Sequence, residues 1–225
     1  ALNHSTSTDV HNVAVGFHAG LSMTTGTDNA LIGAFAGDAL TDADFNTAVG
    51  TASLSSDTLG SRSTALGYGT LNSQNFSTAT DTYNVAVGHA AGNSITTGTL
   101  NTLVGGSAGD ALNTGEGNTA MGRNALGSDT KGDLSVAIGY AALGNQNLTT
   151  NTDTYNTAVG FTAGGGVTTG IQNTLMGGVA GNALTDADYN VAIGFQALTS
   201  DTRGSRSTAV GLSLIHISEP TRLTS

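Results

Sequence analysis

Cysteine and tryptophan are missing from this chain of 225 residues, and proline and lysine occur once each. The absence of cysteine excludes disulfides, thiol catalysis and cysteine-based metal sites. Positive charge is scarce, because six Lys and Arg stand against sixteen Asp and Glu and the net charge is −10. We therefore expect no nucleic-acid partner and no direct contact with an anionic membrane surface. No apolar run reaches the roughly 20 residues that a transmembrane helix needs.

Glycine is abundant instead, and twelve of the 33 glycines close copies of one five-residue phrase. The phrase reads NTAVG at 46–50 and 156–160, NVAVG at 12–16 and NVAIG at 190–194. Its closing glycines, here called motif glycines, recur at intervals of 17, 17, 17 and then 21 positions, which gives a 72-residue super-repeat. The motif glycines are Gly16, Gly33, Gly50, Gly67, Gly88, Gly105, Gly122, Gly139, Gly160, Gly177, Gly194 and Gly211.

A second position obeys the same period. Four places before the motif glycine stands Asn, except in every fourth copy, where Ser63, Ser135 and Ser207 replace it. Side chains that recur at one position of a repeat fall above one another when the repeats stack. We expect these asparagines to form an amide ladder at a turn: Asn12, Asn29, Asn46, Asn84, Asn101, Asn118, Asn156, Asn173 and Asn190.

The phrase has the composition of a short strand. Val or Thr stands three places before the motif glycine in eleven of twelve copies, and β-branched residues favour strands. Gly, Asn, Asp, Ser and Thr between the phrases are turn formers. One such short unit cannot bury a core alone, but stacked units can. We therefore predict an all-β fold, a parallel β-solenoid (β-roll) of about twelve 17-residue coils, with longer loops at 71–83 and 143–155.

The sequence also leads to a prediction of which strand side chains point into the roll. We predict that the aliphatic residue just before each motif glycine points into the roll, so that Val15, Ile32, Val49 and Leu66 form an internal ladder. On this hypothesis, Val87→Asp is severely destabilising because it buries an unpaired charge.

The pattern N-[TV]-A-[VI]-G-x-x-[AST] resembles the head repeats of trimeric autotransporter adhesins and the related repeats of phage tail fibres and large bacterial surface proteins. The resemblance covers residues 12–211. It implies a left-handed parallel β-roll, a homotrimer, and outward faces that attach to a host-surface protein or glycan. It also implies a location outside the cell, on a cell surface or a virion. We expect a rigid structural and adhesive section, and the choice between adhesin and fibre stays open.

A competing interpretation rests on VGFHAG at 15–20, which is similar to the hexapeptide of left-handed β-helix acyltransferases. That fold needs successive hexapeptides all the way round each coil, whereas each coil here supplies one. A catalytic site needs unlike groups that converge, and a regular repeat does not favour them. We predict no enzyme and no cofactor. A monomeric β-solenoid binding module, or an acyltransferase-like enzyme, remains the alternative.

Possible metal ligands are of two kinds, acidic pairs in the sequence TDAD and four of the five histidines. Calcium takes oxygens from carboxylates close in sequence, but two aspartates in a Thr-rich stretch are typical of a solvated turn. The histidines have no His, Cys or Glu partner at ligand spacing, which favours surface positions. We predict no metal site at these residues: Asp42, Asp44, Asp186, Asp188, His4, His11, His18 and His89.

Two further sets of residues suggest binding. Threonine pairs suggest an ice-binding face, but they recur only once in each super-repeat and such a face needs them on successive coils. Aromatic residues beside the phrase could stack on sugars or a protein ligand, although we favour packing over the core or between chains. The pairs are Thr24 and Thr25, Thr96 and Thr97, and Thr168 and Thr169; the aromatics are Phe17, Phe45, Tyr68, Tyr83, Tyr140, Tyr155, Phe161, Tyr189 and Phe195.

We divide the chain into a repeat domain at 1–211 and a tail at 212–225. The repeat pattern fails directly after Gly211, and the only proline falls in the tail. The sequence LSLIHISEPTR at 212–222 resembles a translated transposase sequencing adapter, so we predict a non-native tail and a reading frame assembled from environmental DNA. The alternative is a genuine strand that caps the open end of the roll. Without Met at position 1, we also expect an excerpt of a longer protein.

Overall fold

The computed structural model describes residues 10–213 of the chain. His4 and the predicted tail from Leu214 onward lie outside the described residues. Within 10–213 the backbone forms sixteen short strands and no helix. In chain order the strands are β1 (Val13–Val15), β2 (Ala30–Ile32), β3 (Thr47–Val49), β4 (Gly60–Ser61), β5 (Thr64–Leu66), β6 (Thr80–Asp81), β7 (Val85–Val87), β8 (Thr102–Val104), β9 (Thr119–Met121), β10 (Gly132–Asp133), β11 (Val136–Ile138), β12 (Thr152–Asp153), β13 (Thr157–Val159), β14 (Thr174–Met176), β15 (Val191–Ile193) and β16 (Thr208–Val210).

The twelve three-residue strands, each ending directly before a motif glycine, form one parallel sheet in the order β1-β2-β3-β5-β7-β8-β9-β11-β13-β14-β15-β16. The register never slips, so that Ala14 pairs with Leu31 and Leu31 with Ala48. Each coil therefore adds one strand at about 4.8 Å, and twelve coils make a rod of roughly 55 Å. The predicted all-β parallel solenoid of about twelve coils is confirmed.

The prediction that the aliphatic residue before each motif glycine points into the roll is wrong. In β5 it is the middle residue, Ala65, that is fully buried, whereas Leu66 before the glycine is 44% exposed. Val15 and Ile32 are exposed as well, and Val49 is half-buried, so these aliphatics do not form an internal ladder. Successive side chains of a strand point to opposite faces, so the middle residue, Ala in nine strands and Leu in the other three, faces the interior.

Residues from the opposite wall of the coil fill the rest of that interior. In the first two coils of each super-repeat, Gly stands four places after the motif glycine and a large apolar residue seven places after, as with Gly37 and Leu40. A Cβ on Gly37 would lie 2.7 Å from Cδ1 of Leu40 and 2.9 Å from Cδ2 of Leu31. In the other two coils a buried Leu, such as Leu54 or Leu71, takes the fourth position. Among the described residues each coil thus has one large side chain on this wall, and the second coil of each super-repeat adds a buried Leu from the strand itself, such as Leu31.

The motif glycines are required where successive coils approach each other. Gly50 has φ of 135°, a region that residues with a side chain rarely adopt. A Cβ there would lie 2.2 Å from the carbonyl oxygen of Gly67 in the next coil. The phrase therefore ends in glycine because the backbone turns sharply and the next coil leaves no room for a side chain.

The asparagines before the strands link each coil to its neighbours. Oδ1 of Asn84 accepts the backbone N–H of Asn101 at 3.0 Å. Nδ2 of Asn101 donates to the carbonyl oxygen of Gly115 at 2.9 Å. Both asparagines are fully buried, so these bonds satisfy turn groups that water cannot reach.

A buried polar network replaces this arrangement where serine takes the place of asparagine. Gln74 donates from Nε2 to Asp57 and to Oγ of Ser63. Its Oε1 accepts Nδ2 of Asn84 at 2.9 Å, and Oγ of Ser63 lies 2.6 Å from Oγ1 of Thr82. The short serine leaves room for the glutamine, and every member of the network has a partner. The same network recurs in the next super-repeat at Asp129, Ser135, Gln146, Thr154 and Asn156.

The longer loops at 71–83 and 143–155 hold the additional residues of every fourth interval. Each loop also contains a short strand that the sequence did not predict. β6 pairs in parallel with β4, and β12 with β10, as two separate two-stranded sheets. The loops are thus tied to the preceding coil.

Candidate functional site

The outward side of the twelve-stranded sheet carries no charge at all. We define the apolar face as the side chains of the first and last residues of the twelve three-residue strands. The first residue is Val, Thr or Ala in every strand, and the last is Val, Ile, Leu or Met. Val104 and Met121, in adjacent coils, are 36% and 39% exposed. The face therefore presents two uninterrupted columns of aliphatic and threonine side chains to solvent.

Exposed aromatic residues flank this face on both sides. Phe17 is 63% exposed, and Tyr140 stacks on Phe161 of the next coil with ring centroids 5.4 Å apart. On the other flank the guanidinium of Arg62 lies over the ring of Phe45 at 4.7 Å. These aromatics do not cap the core of this chain, and the idea that they do is wrong. They flank the uncharged face together with charged residues at the same two positions of the repeat, among them Arg62, Arg123 and Arg206.

The dimensions of this surface can be estimated from strand geometry. The flanks lie six residue steps apart, at about 3.3 Å each, and eleven coil steps of about 4.8 Å run along the rod. The face and its flanks, which include charged side chains, thus form a strip of about 20 by 53 Å, whereas the apolar face alone, two steps wide, covers roughly 350 Å². The largest apolar patch of a typical monomer is about 300–600 Å². The sequence prediction missed this site because it placed the larger aliphatics inside.

The acidic pairs of TDAD serve as links between coils. Oδ1 of Asp44 accepts the backbone N–H of Thr27 at 2.7 Å, and Oδ1 of Asp188 accepts that of Ile171 at 2.8 Å. Asp42 accepts Oγ1 of Thr25. The two carboxylates of the first pair thus bond to different residues of the preceding coil, Thr25 and Thr27. In the part of the chain that the structure describes, no group of three or more His, Cys, Asp or Glu is placed to hold a metal ion.

The remaining histidines and threonines are not brought together either. His18 stacks on Phe17 at 3.9 Å, His89 stacks on Tyr68 at 5.2 Å, and His11 lies 3.3 Å from Asp28. Where the first coil has a threonine pair, the second has Thr41 followed by Asp42 and the third has Thr58 followed by Leu59. A continuous rank of threonine pairs is therefore not formed between these coils. The predicted pairs lie at Thr24 and Thr25, Thr96 and Thr97, and Thr168 and Thr169.

The carboxylate of Asp110 is partly buried, which is unfavourable for its ionised form. Its Oδ1 is buried and, among the described residues, has no hydrogen-bond partner. Burial raises the pKa of Asp110 above its usual value, and hydrogen bonds from its own backbone and from Ser107 oppose this in part. Burial likewise raises the pKa of Asp38, at the equivalent place of the first super-repeat, and of Asp133. The partial burial of these ionised carboxylates thus lowers the free energy of unfolding at neutral pH.

We expect Asp110→Asn to raise the melting temperature at neutral pH. At the same place in the two preceding coils, Asn93 and Asn72 donate Nδ2 to a carbonyl of the coil before, at 2.9 and 3.1 Å, so the new amide would reach the carbonyl of Ala90. The gain should stay below about 1 kcal/mol because the group is partly solvated.

The pH dependence of this substitution has a definite sign. The folded-state pKa of Asp110 is raised, so its cost is absent in acid, where the group is protonated, and appears as pH rises through the raised value. The advantage of Asp110→Asn over the parent chain should therefore shrink on acidification. Melting curves at neutral pH and below the usual Asp pKa measure this, and a gain that persists unchanged in acid would contradict it.

No described helix is long and apolar enough to cross a membrane. Comparisons with protein-family models, with curated proteins and with solved structures found no match for this chain.

Proposed function

We propose that this chain is a rigid section of a bacterial surface adhesin or phage tail fibre, and that it works outside the cell as a homotrimer. Its role in this proposal is structural and adhesive, without catalysis. The observation that carries the proposal is the apolar face, which runs along all twelve coils without a charged side chain. The largest apolar patch of a protein is often functional, which supports an interaction site at this face.

Copies of the same chain are the partners that fit the face best. The face repeats once per coil over the whole sheet, so a partner must have the same period to match it along its length. Parallel copies set side by side meet this condition, because Val104 of one chain lies level with Val104 of the next. The face and its flanks together form a strip of roughly 1,000 Å² per chain, comparable with the ~800 Å² that each partner buries in a stable interface.

In this proposal the rod promotes attachment in two ways: it holds binding surfaces outward, and it presents each of them three times. A stiff rod holds its outer surfaces away from the cell or virion that carries it. Three chains present each outer surface three times, and simultaneous engagement raises avidity beyond that of a single site. The proposed ligand is a host-surface protein or a glycan.

Multi-angle light scattering of the purified chain tests the assembly. We expect a mass near three times the 22.2 kDa of one chain. A mass near one chain would contradict the proposal and favour a monomeric β-solenoid binding module or enzyme.

A matched pair of variants locates the interface. Val104→Lys with Met121→Lys should convert the assembly to single chains, because it buries charges against apolar neighbours in every protomer. Thr97→Lys, at an exposed position outside the apolar face, should keep the parent mass. A trimer that survives the double substitution would place the interface elsewhere.

A further inference from the structure

Two asparagines outside the buried ladder share an unusual sequence context. Asn75-Phe76-Ser77 and Asn147-Leu148-Thr149 both fit the pattern Asn-x-Ser/Thr, the acceptor pattern for N-glycosylation. They occupy the same position of two successive super-repeats. The second and third residues differ between the two copies, yet the third keeps its hydroxyl. Within residues 10–213 no other asparagine has this context.

The structure exposes both asparagines on the longer loops. Asn75 and Asn147 are exposed, whereas the residues that follow them, Phe76 and Leu148, are each only 6% exposed. The buried side chain anchors the loop just beside the acceptor. The next residue is exposed again, so the hydroxyl of the pattern is accessible.

In both acceptor asparagines the side-chain oxygen is hydrogen-bonded and, within residues 10–213, the side-chain nitrogen is not. Oγ1 of Thr58 donates to Oδ1 of Asn75 at 3.1 Å, and Oγ1 of Thr130 donates to Oδ1 of Asn147 at 3.0 Å. Each bond uses the oxygen of the amide and directs Nδ2 away from the preceding coil. Across the described residues, Nδ2 of the ladder asparagine Asn84 is engaged, while Nδ2 of Asn75 and of Asn147 has no bond.

Both sites lie away from the apolar face. Gln74, which precedes Asn75, points into the interior against Asn84, the residue directly before β7, so Asn75 points out on the far wall of the coil. Four coils separate the two sites, about 19 Å along the rod. A sugar at either site would not obstruct the proposed packing of chains.

We infer that Asn75 and Asn147 are acceptors for N-linked glycosylation by a sugar activated as a diphosphate ester. Nδ2 attacks the anomeric carbon, a C–N bond forms, and the bond from that carbon to the phosphate oxygen breaks. The diphosphate carrier leaves with the bonding electron pair, and the proton lost from Nδ2 passes to a base of the transferase. No oxidant or metal of this chain takes part.

The test uses the full chain with UDP-glucose and a soluble N-glycosyltransferase that recognises Asn-x-Ser/Thr. Peptide mapping by mass spectrometry should find one hexose on Asn75 and one on Asn147. Asn3-His4-Ser5 also fits the pattern but lies outside the described residues, and its peptide is scored separately. Absence of hexose from the two loop peptides would overturn the inference.

Matched variants distinguish the pattern from mere exposure. Asn75→Gln and Asn147→Gln should each remove one hexose, and so should Ser77→Ala and Thr149→Ala, which keep the asparagine. Asn145→Gln, exposed in the same loop but followed by Gln146 and Asn147, should change nothing. Hexose that persists in Ser77→Ala or Thr149→Ala, or that maps to a Ser or Thr hydroxyl, would overturn it. Circular dichroism confirms that each variant keeps the strand content of the parent.

Discussion

Ala86→Asp should prevent the chain from folding or lower its stability by about 4 kcal/mol or more. Ala86 is the middle residue of β7 and fully buried, and it pairs with Ala65 and Leu103 in the neighbouring coils. A carboxylate there would meet only apolar side chains and backbone that is already hydrogen-bonded. Such an unpaired buried charge is among the most destabilising changes known. Loss of strand content by circular dichroism, or a collapse in melting temperature, measures it.

The adjacent substitution Val87→Asp is the matched control. Val87 lies on the apolar face, half-buried, so its carboxylate would remain in contact with water. The single chain should keep its strand content, with a cost of about 1 kcal/mol or less, while the proposed trimer should weaken. This outcome is the reverse of the expectation from sequence. If Val87→Asp unfolded the coil and Ala86→Asp did not, the facing of the strands would be wrong.

Gly105→Ala should be destabilising by more than about 3 kcal/mol, because a steric clash adds to the backbone strain. Gly105 has φ of 138°, and a conformation reserved for glycine costs ~1–3 kcal/mol with any other residue. Its new Cβ would also lie 2.6 Å from the carbonyl carbon and oxygen of Gly122. That contact is with backbone, so it can be relieved only by moving two coils apart.

The next residue again supplies the control. A Cβ on Gly106 would meet nothing within 4 Å, and Gly106 does not have positive φ. Gly106→Ala should therefore leave the melting temperature within a few degrees of the parent, since surface changes of this kind stay within about 0.5 kcal/mol. Equal losses from Gly105→Ala and Gly106→Ala would show that coil-to-coil contact does not explain the motif glycine.

The period of the chain was sufficient to predict the stacking of coils. Motif glycines at fixed spacing place like residues above one another, and the register from Ala14 to Leu31 to Ala48 follows directly. Which residue of each strand points into the interior could not be predicted from the period. Ala65 and Leu66 are both apolar, and hydrophobicity alone favours burial of the larger one. What decides is the alternation of the strand, because only its middle residue faces inward, and that residue is Ala in nine strands and Leu at 31, 103 and 175.

The buried polar network could not be predicted from the sequence either, for a different reason. Asp57 and Gln74 look like ordinary polar residues of two separate loops. Only the stacking of the third and fourth coils brings them to hydrogen-bonding distance. The exchange of Asn for Ser63 was the visible signal, and it marks the place where a longer side chain enters the interior.

This network also constrains how such a rod changes its length. Coils that lack it are nearly interchangeable, so a shift by one coil would leave most contacts intact. It would, however, set Asp57 against an apolar position such as Leu40, and a buried carboxylate would lose its donors. Only a shift by the whole super-repeat of four coils restores every partner. Related genes should therefore gain or lose coding sequence in blocks of four coils, and the rods that they encode should differ in length by steps of about 19 Å.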